Sequence, residues 1–216
     1  MNIKNKSYLE SNIENGVQNQ LISFNYDKTR ITYHVKEPYY TSFRNPEEQV
    51  RAAYFCELVL NYQYPTKRIQ FEVITKPDRD RIDMIVYKDD ALKEPYIVIE
   101  CKKDLIPHGE FQKAIEQAFR YANYKKAWFA VIVSGTTQEH FNIKDFVSGE
   151  RKSNVIADIP IRYGKLPKYK HYKQEEKDLK IVAREELIKI LTSFGKVESY
   201  LQRMLSMKCR NYYFVN

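Results

Sequence analysis

Two carboxylates and a lysine stand in two apolar segments of the sequence, in a pattern suited to metal-assisted hydrolysis. The segment YIVIECKK (96–103) begins with apolar residues and then presents Glu100 and Lys102. The earlier segment RIDMIVY (81–87) contains Asp83. Side chains alternate along a strand, so Glu100 and Lys102 share one face. If the two strands pair, Asp83 lies beside Glu100.

Neighbouring carboxylates at a buried strand end need compensation, because they repel each other and lose hydration. Mg²⁺ removes this difficulty, since it takes oxygen ligands, commonly one or two carboxylates together with waters and substrate phosphates. A metal-bound water is a stronger acid than bulk water, and a nearby lysine can orient it or carry its proton. The pattern therefore indicates a metal-dependent site that cleaves phosphodiesters. A plain ion pair between Glu100 and Lys102 at the sheet rim is the alternative.

The elements that would position these residues alternate between helices and strands. Asn45, Pro46 and the following acids predict the start of a helix. The predicted helices span 45–62 and 110–124, and the predicted strands span 31–35, 68–75, 81–87, 96–102 and 127–135. Short links predict antiparallel pairing, and a helix before the last strand predicts a parallel crossover. We expect an α/β fold with a mixed central β-sheet flanked by helices.

The length, charge and cysteine content of the chain limit the classes of protein to which it can belong. The chain has 216 residues, a net charge of +8 and a pI near 9.2, which favours an anionic partner. Its three cysteines are far apart, which supports neither a disulfide framework nor a zinc site. No segment has the length of a membrane span, and residues 1–12 lack the apolar core of a secretory signal. We therefore expect a cytoplasmic protein without membrane contact, with residues 1–30 loosely ordered or forming one short helix.

Four segments carry a resemblance to a known family. They are PEEQVR (46–51), RIDMIVY (81–87), PYIVIECKK (95–103) and AIEQAFRYA (114–122). In this order they resemble the N-terminal nuclease domain of type I restriction endonuclease R subunits, in the PD-(D/E)xK superfamily. The resemblance implies a restriction-endonuclease-like core at about 31–135 and a metal-dependent DNA endonuclease that hydrolyses phosphodiester bonds. We divide the chain into a nuclease domain over 1–150 and a basic linker with a helical appendage over 151–216.

The resemblance also implies roles for individual residues. Asp83 and Glu100 would hold Mg²⁺, with Mn²⁺ as a possible substitute, and Lys102 would assist hydrolysis. A glutamate of the first core helix would contribute to the metal site. Glu48 is our choice and Glu47 the alternative, although both also suit the positive end of the helix dipole.

Four further positions need an interpretation. The backbone carbonyl of Cys101 could face the metal. Gln117 and Tyr121 match the family's QxxxY motif, which implies that they order the site or contact DNA; a packed tyrosine with an incidental glutamine is the alternative. Asp78 completes a literal "PD", but we interpret it as part of a turn, because Asp83 lies inside the apolar strand.

The expected partners are double-stranded DNA and the modification and specificity subunits of a restriction complex. Lys103 and the basic stretch with Lys165, Lys168 and Lys170 are candidate DNA contacts, and a solvated linker explains that stretch equally well. The chain has no GxxxxGK[ST] motif, so we expect neither an ATP site nor a motor in it. The alternative function is a catalytically inactive DNA-binding or assembly module with a nuclease-like fold.

Overall fold

The computed structural model of the chain describes residues 7–75, 79–144 and 154–167. All of them belong to the first of two units into which the chain divides, 1–167, while 168–216 lie outside the described residues. The helices are α1 (Tyr8–Gln18), α2 (Pro46–Leu60) and α3 (His108–Lys125). The strands are β1 (Ile22–Phe24), β2 (Arg30–Tyr33), β3 (Tyr39–Ser42), β4 (Ile69–Ile74), β5 (Arg81–Tyr87), β6 (Pro95–Lys102), β7 (Phe129–Ser134), β8 (Thr137–Asn142) and β9 (Val155–Ile156).

The helices begin where the sequence supplies capping groups. Ser7 and Glu10 form a capping box at the start of α1, in which each side chain accepts a hydrogen bond from the other residue's amide. Asn45 caps α2 by accepting a hydrogen bond from the Glu47 amide, and Pro46 occupies the first helical position. This second cap fixes where the acidic first turn of α2 lies.

The main sheet has six strands among the described residues, in the order β4-β5-β6-β7-β8-β9. Strands β4, β5 and β6 pair antiparallel, and β6 then pairs with β7 in parallel after the crossover through α3. Strands β8 and β9 continue the sheet antiparallel. The predicted α/β fold with a mixed central sheet is therefore confirmed, including the direction of each predicted strand pair.

The two faces of the main sheet carry separate cores. Ile97 and Ile99 of β6 pack in one cluster with α2, while Val98 packs in the other with α3. This division follows from the alternation of side chains along the strand. A second sheet, β1-β2-β3, adds its inner face to the α2 cluster through residues such as Ile31 and Tyr33.

The polypeptide remains part of this fold beyond residue 150. Strand β9 pairs with β8, and Ile159 is completely buried in the α2 cluster. The Tyr62 hydroxyl donates a hydrogen bond to Asp158 Oδ1 at 2.7 Å. The sequence pattern placed the domain boundary after residue 150, whereas these contacts continue through residues 155–163.

Several elements were not predicted from the pattern. Residues 1–30 contain the one expected short helix, α1, but also β1. Strands β3, β8 and β9 were missed because they are short or polar, and strand propensity there depends on the neighbouring strand. Asp78, which we interpreted as part of a turn, lies outside the described residues.

Candidate active site

The candidate site lies where β5 and β6 stop pairing. Their ladder ends at the Met84–Ile99 pair, so Asp83 and Glu100 occupy the next positions in register. Beyond this point β6 continues beside β7 as far as Lys102. Where the ladder ends, the Cys101 amide donates its hydrogen bond to the Asp83 side chain rather than to a backbone carbonyl of β5.

A local irregularity in β4 lies opposite Asp83. Phe71 and Val73 pair with Met84 and Ile82, while Glu72 between them has a φ of 49° and no partner in the ladder. A non-glycine residue in this left-handed region is strained, and such residues often re-aim side chains near functional sites. The irregularity turns Glu72 toward the same ionic cluster as Asp83.

Glu100 is buried, with only 2% of its surface exposed. Its Oε1 accepts a hydrogen bond from Lys102 Nζ at 2.7 Å, whereas its Oε2 has no hydrogen-bond partner among the described residues. Burial, together with the negative charge of Asp83, raises the pKa of Glu100 to about 8. Burial would lower the pKa of Lys102, but the adjacent Glu100 carboxylate outweighs it and raises that pKa.

Asp83 is held by groups from two other elements. Its Oδ2 accepts a hydrogen bond from the Cys101 amide at 2.7 Å. Its Oδ1 accepts from the Arg51 guanidinium of α2. Cys101 is itself buried, and burial raises the pKa of its thiol well above the usual value. The amide of Cys101 therefore orients Asp83, and its thiol stays protonated in the core.

Arg51 is the centre of an ionic cluster that sequence reasoning did not identify. Its guanidinium lies 3.0 Å from Glu48 Oε2 and 2.8 Å from Glu72 Oε1, in addition to its contact with Asp83. Arg51 is only 7% exposed. Arg51 follows Glu48 by three residues, and this spacing indicates that the two side chains pair on one helix face. Nothing in the sequence around Glu72 indicates that Glu72 contacts this pair.

The two glutamates in the first turn of α2 have different surroundings. Glu48 is buried, bonded to Arg51 and to the Tyr33 hydroxyl, and burial raises its pKa. Glu47 is partly exposed, and its charge helps to raise the pKa values of both Glu100 and Lys102. Glu48 therefore lies in the Arg51 cluster, and Glu47 lies electrostatically close to Glu100.

Helix α3 brings the QxxxY residues to the same region. Gln117 Nε2 donates a hydrogen bond to the Tyr121 hydroxyl at 2.9 Å. Burial raises the pKa of Tyr121, and the charge of Glu100 contributes to that increase. Tyr121 is thus electrostatically close to Glu100, as expected for residues that serve one site.

The predicted DNA contacts are only partly described. Lys103 follows β6 and is exposed, and its carbonyl accepts a hydrogen bond from Ser134 Oγ at 2.7 Å. Lys165 is exposed near the end of the described residues. Lys168 and Lys170 lie outside the described residues.

The candidate site contains carboxylate oxygens, which are the ligands that Mg²⁺ takes in proteins. Among the described residues, no group of three or more His, Cys, Asp or Glu side chains is arranged to hold a metal. Mg²⁺ does not require such a group, because one or two carboxylates with waters and phosphates suffice. The unbonded Oε2 of Glu100 fits this smaller set of ligands. Asp83 would join it through oxygens that also accept hydrogen bonds from the Cys101 amide and from Arg51.

Fold and site together define an α/β protein with two carboxylates and a lysine at the split between two central strands. The family model of the type I restriction enzyme R protein N terminus matches residues 46–160. This match covers more than half of the chain, and the chain belongs to that family. The resemblance identified from four sequence segments is therefore confirmed.

No curated protein matched the chain. Among the described helices, none is both long enough and apolar enough to cross a membrane.

Proposed function

We propose that this chain carries the metal-dependent DNA endonuclease domain of a type I restriction enzyme R subunit. The observation that supports this most is Glu100, which is buried beside Asp83 and Lys102 and has one carboxylate oxygen without a hydrogen bond. An unbonded buried carboxylate oxygen is costly, and a divalent cation is the partner that compensates it best. Membership of the restriction R-protein family supplies the substrate class, which is DNA.

In this proposal each residue of the site has a separate task. Asp83 and Glu100 hold Mg²⁺, which supplies an acidified water and stabilises charge on the scissile phosphate when it is bound. Lys102, hydrogen-bonded to Glu100 and kept protonated by that carboxylate, orients the attacking water. The Cys101 amide keeps Asp83 oriented. Gln117 and Tyr121, bonded to each other, border the site from α3.

Substrate and partners follow from the same proposal. Duplex DNA is held mainly through its phosphates, with Lys103 next to the catalytic strand end and Lys165 as a further contact. The domain works in the cytoplasm together with modification and specificity subunits. The ATP-driven steps of such a complex belong to other parts of the assembly.

Nicking of supercoiled plasmid tests the proposal. Wild-type protein with Mg²⁺ or Mn²⁺ is expected to nick the plasmid, and Lys102→Ala is expected to lower the rate by roughly 10² or more, as for loss of a general acid or base. Lys93→Ala, which removes an exposed lysine from the turn before β6, is the matched control and should retain the wild-type rate. Equal nicking by wild type and Lys102→Ala would show that the activity does not arise at this site.

One observation favours the alternative of an inactive module. Arg51 already forms ion pairs with Glu48, Glu72 and Asp83 without any metal ion. Calorimetry with Mn²⁺ distinguishes the two functions. If the chain is the nuclease, the wild type binds Mn²⁺ and Glu100→Gln abolishes that binding. Salt-sensitive DNA binding without any Mn²⁺ binding would favour the inactive DNA-binding or assembly module.

A further inference from the structure

The outer face of the second sheet carries an unusual set of side chains. Arg30 and Thr32 of β2 pair in register with Ser42 and Tyr40 of β3, so the four side chains lie on the same face. The alternate residues of these strands, such as Ile31 and Tyr33, are buried in the core. The outer face is therefore exposed, and it carries hydroxyl groups and a cation.

Two more cations extend this face at one end. Lys28 lies in the β1–β2 turn two residues before Arg30, and Arg44 lies two residues after Ser42. The backbone bond from the Phe43 amide to the Thr29 carbonyl, 2.8 Å long, keeps the two segments side by side beyond the ladder. Three cationic side chains are thus grouped at the end of the sheet that leads into α2.

These three cations have no ion-pair partner in the part of the chain that the structure describes. The ion pairs there involve other basic residues, in α2, in α3, in the main sheet and in the turn 66–68 before β4. Asp27 in the β1–β2 turn is one nearby acid, and its carboxylate accepts hydrogen bonds from the amide and hydroxyl of Thr29. Glu47, three residues after Arg44 in the first turn of α2, is another. The face is therefore positively charged, and its charge is not neutralised from within the fold.

Exposed aromatic and hydroxyl groups accompany the charge. Tyr40 is 68% exposed, and Tyr26, at the tip of the β1–β2 turn, is fully exposed. Thr32, Ser42 and Tyr40 each carry a hydroxyl that can donate a hydrogen bond to a phosphate oxygen. Protein–DNA interfaces use Arg, Lys, Ser, Thr and Tyr for most of their backbone contacts.

One end of this face is next in sequence to the first turn of α2. Arg44 immediately precedes Asn45, the cap of α2, whose first turn contains Glu47 and Glu48. The Tyr33 hydroxyl, on the inner face of the same sheet, donates a hydrogen bond to Glu48. A polyanion that lies on this face and extends past Arg44 therefore meets the N-terminus of α2, whose Glu48 pairs with Arg51 in the cluster that also holds Asp83.

We propose that the outer face of β2 and β3, with Lys28, Arg30, Arg44 and Tyr40, binds the phosphate backbone of duplex DNA and guides it to the strand ends at Asp83 and Glu100. This inference rests on the proposed function, because it takes DNA as the substrate. It assigns DNA binding to a part of the chain that precedes the matched residues 46–160.

Fluorescence anisotropy with a labelled duplex tests the proposal in EDTA, where no cleavage occurs. The variant Lys28→Gln/Arg30→Gln/Arg44→Gln is expected to bind at least tenfold more weakly. The logarithm of its association constant should also fall less steeply with the logarithm of the salt concentration. The slope should be smaller in magnitude by about 2 to 3, since each phosphate contact contributes about 0.9 to that slope. The matched control Lys93→Gln/Lys125→Gln/Lys126→Gln removes the same charge elsewhere and should keep nearly the wild-type slope.

Each contrary result has a distinct meaning. Equal losses in both triple variants would overturn the proposal, because net charge alone would then explain binding. Competition by poly-glutamate as strong as by unlabelled duplex would also overturn it and indicate an acidic protein as the partner. Absence of duplex binding by the wild type would overturn it directly. Normal binding of wild type without plasmid nicking would instead contradict the proposed nuclease and leave the DNA-binding face standing.

Discussion

Glu100 shows how strongly position controls the chemistry of a single residue. The carboxylate lies inside the sheet, where burial and Asp83 raise its pKa from the ordinary 4.5 to about 8. Lys102 opposes this effect through its ion pair but does not cancel it. Without a divalent ion, the folded protein therefore holds a proton at neutral pH that the unfolded chain releases.

This proton predicts a pH dependence of stability in EDTA. Because the folded state keeps the Glu100 proton to a higher pH than the unfolded chain, the free energy of unfolding should fall as the pH rises from about 5 to about 8. Glu100→Gln cannot titrate, so its urea midpoint should change less across that range. Parallel pH profiles for the two proteins would contradict the assigned pKa.

Arg51 provides a second prediction at the residue scale. Replacement with Met leaves Glu48, Glu72 and Asp83 without their shared cation, which should lower the free energy of unfolding by about 3–5 kcal/mol. Arg81→Met is the control, because Arg81 is exposed and lies 3.5 Å from Glu72; its loss should cost less than about 1 kcal/mol. Urea denaturation measures both. Similar costs for the two variants would show that the buried cluster contributes little.

At the scale of the secondary-structure elements, the packing of α1 against α2 depends on a glycine. A Cβ atom on Gly16 of α1 would lie 2.2 Å from Cys56 Sγ and 3.2 Å from Ile22. Both of those residues are completely or almost completely buried, so they have little freedom to move away. The close approach of the two helices therefore requires a residue without a side chain.

Two glycine substitutions test this packing. Gly16→Ala should destabilise the protein by about 1–3 kcal/mol through overpacking, measured as a lower thermal or urea midpoint. Gly109→Ala, in α3, meets nothing within 4 Å and should raise stability by up to about 1 kcal/mol through helix propensity. If both substitutions stabilised the protein, the contact between α1 and α2 would be looser than described.

At the scale of the whole molecule, two truncated chains test at which residue the folded domain ends. A chain ending at residue 167 retains β9, the buried Ile159 and the Tyr62–Asp158 hydrogen bond, and it should unfold cooperatively. A chain ending at residue 150 loses all three and leaves the edge of β8 unpaired, so its urea midpoint should be clearly lower. Equal midpoints for both truncations would support the boundary after residue 150 that the sequence pattern suggested.

Much of the architecture was predictable because it depends on local patterns. The apolar strands 81–87 and 96–102, the capped α2 and the amphipathic α3 each follow from residue spacing, and their ends in the structure lie within two residues of the predicted ones. Short polar strands such as β3 and β8 were not predictable, because they form only against a partner strand.

The sequence alone determined the composition of the candidate site. Asp83, Glu100 and Lys102 were identified from their places at the ends of apolar strands, and four ordered segments were enough to identify the family. Tertiary structure decided what surrounds these residues. It placed Arg51 and Glu72 in one ionic cluster and set Glu47 close to Glu100. It also left Arg30, on the outer face of β2, and Arg44 without an ion-pair partner among the described residues. The reason is physical: apolar periodicity is a local property of the chain, whereas the compensation of a charge depends on groups distant in sequence.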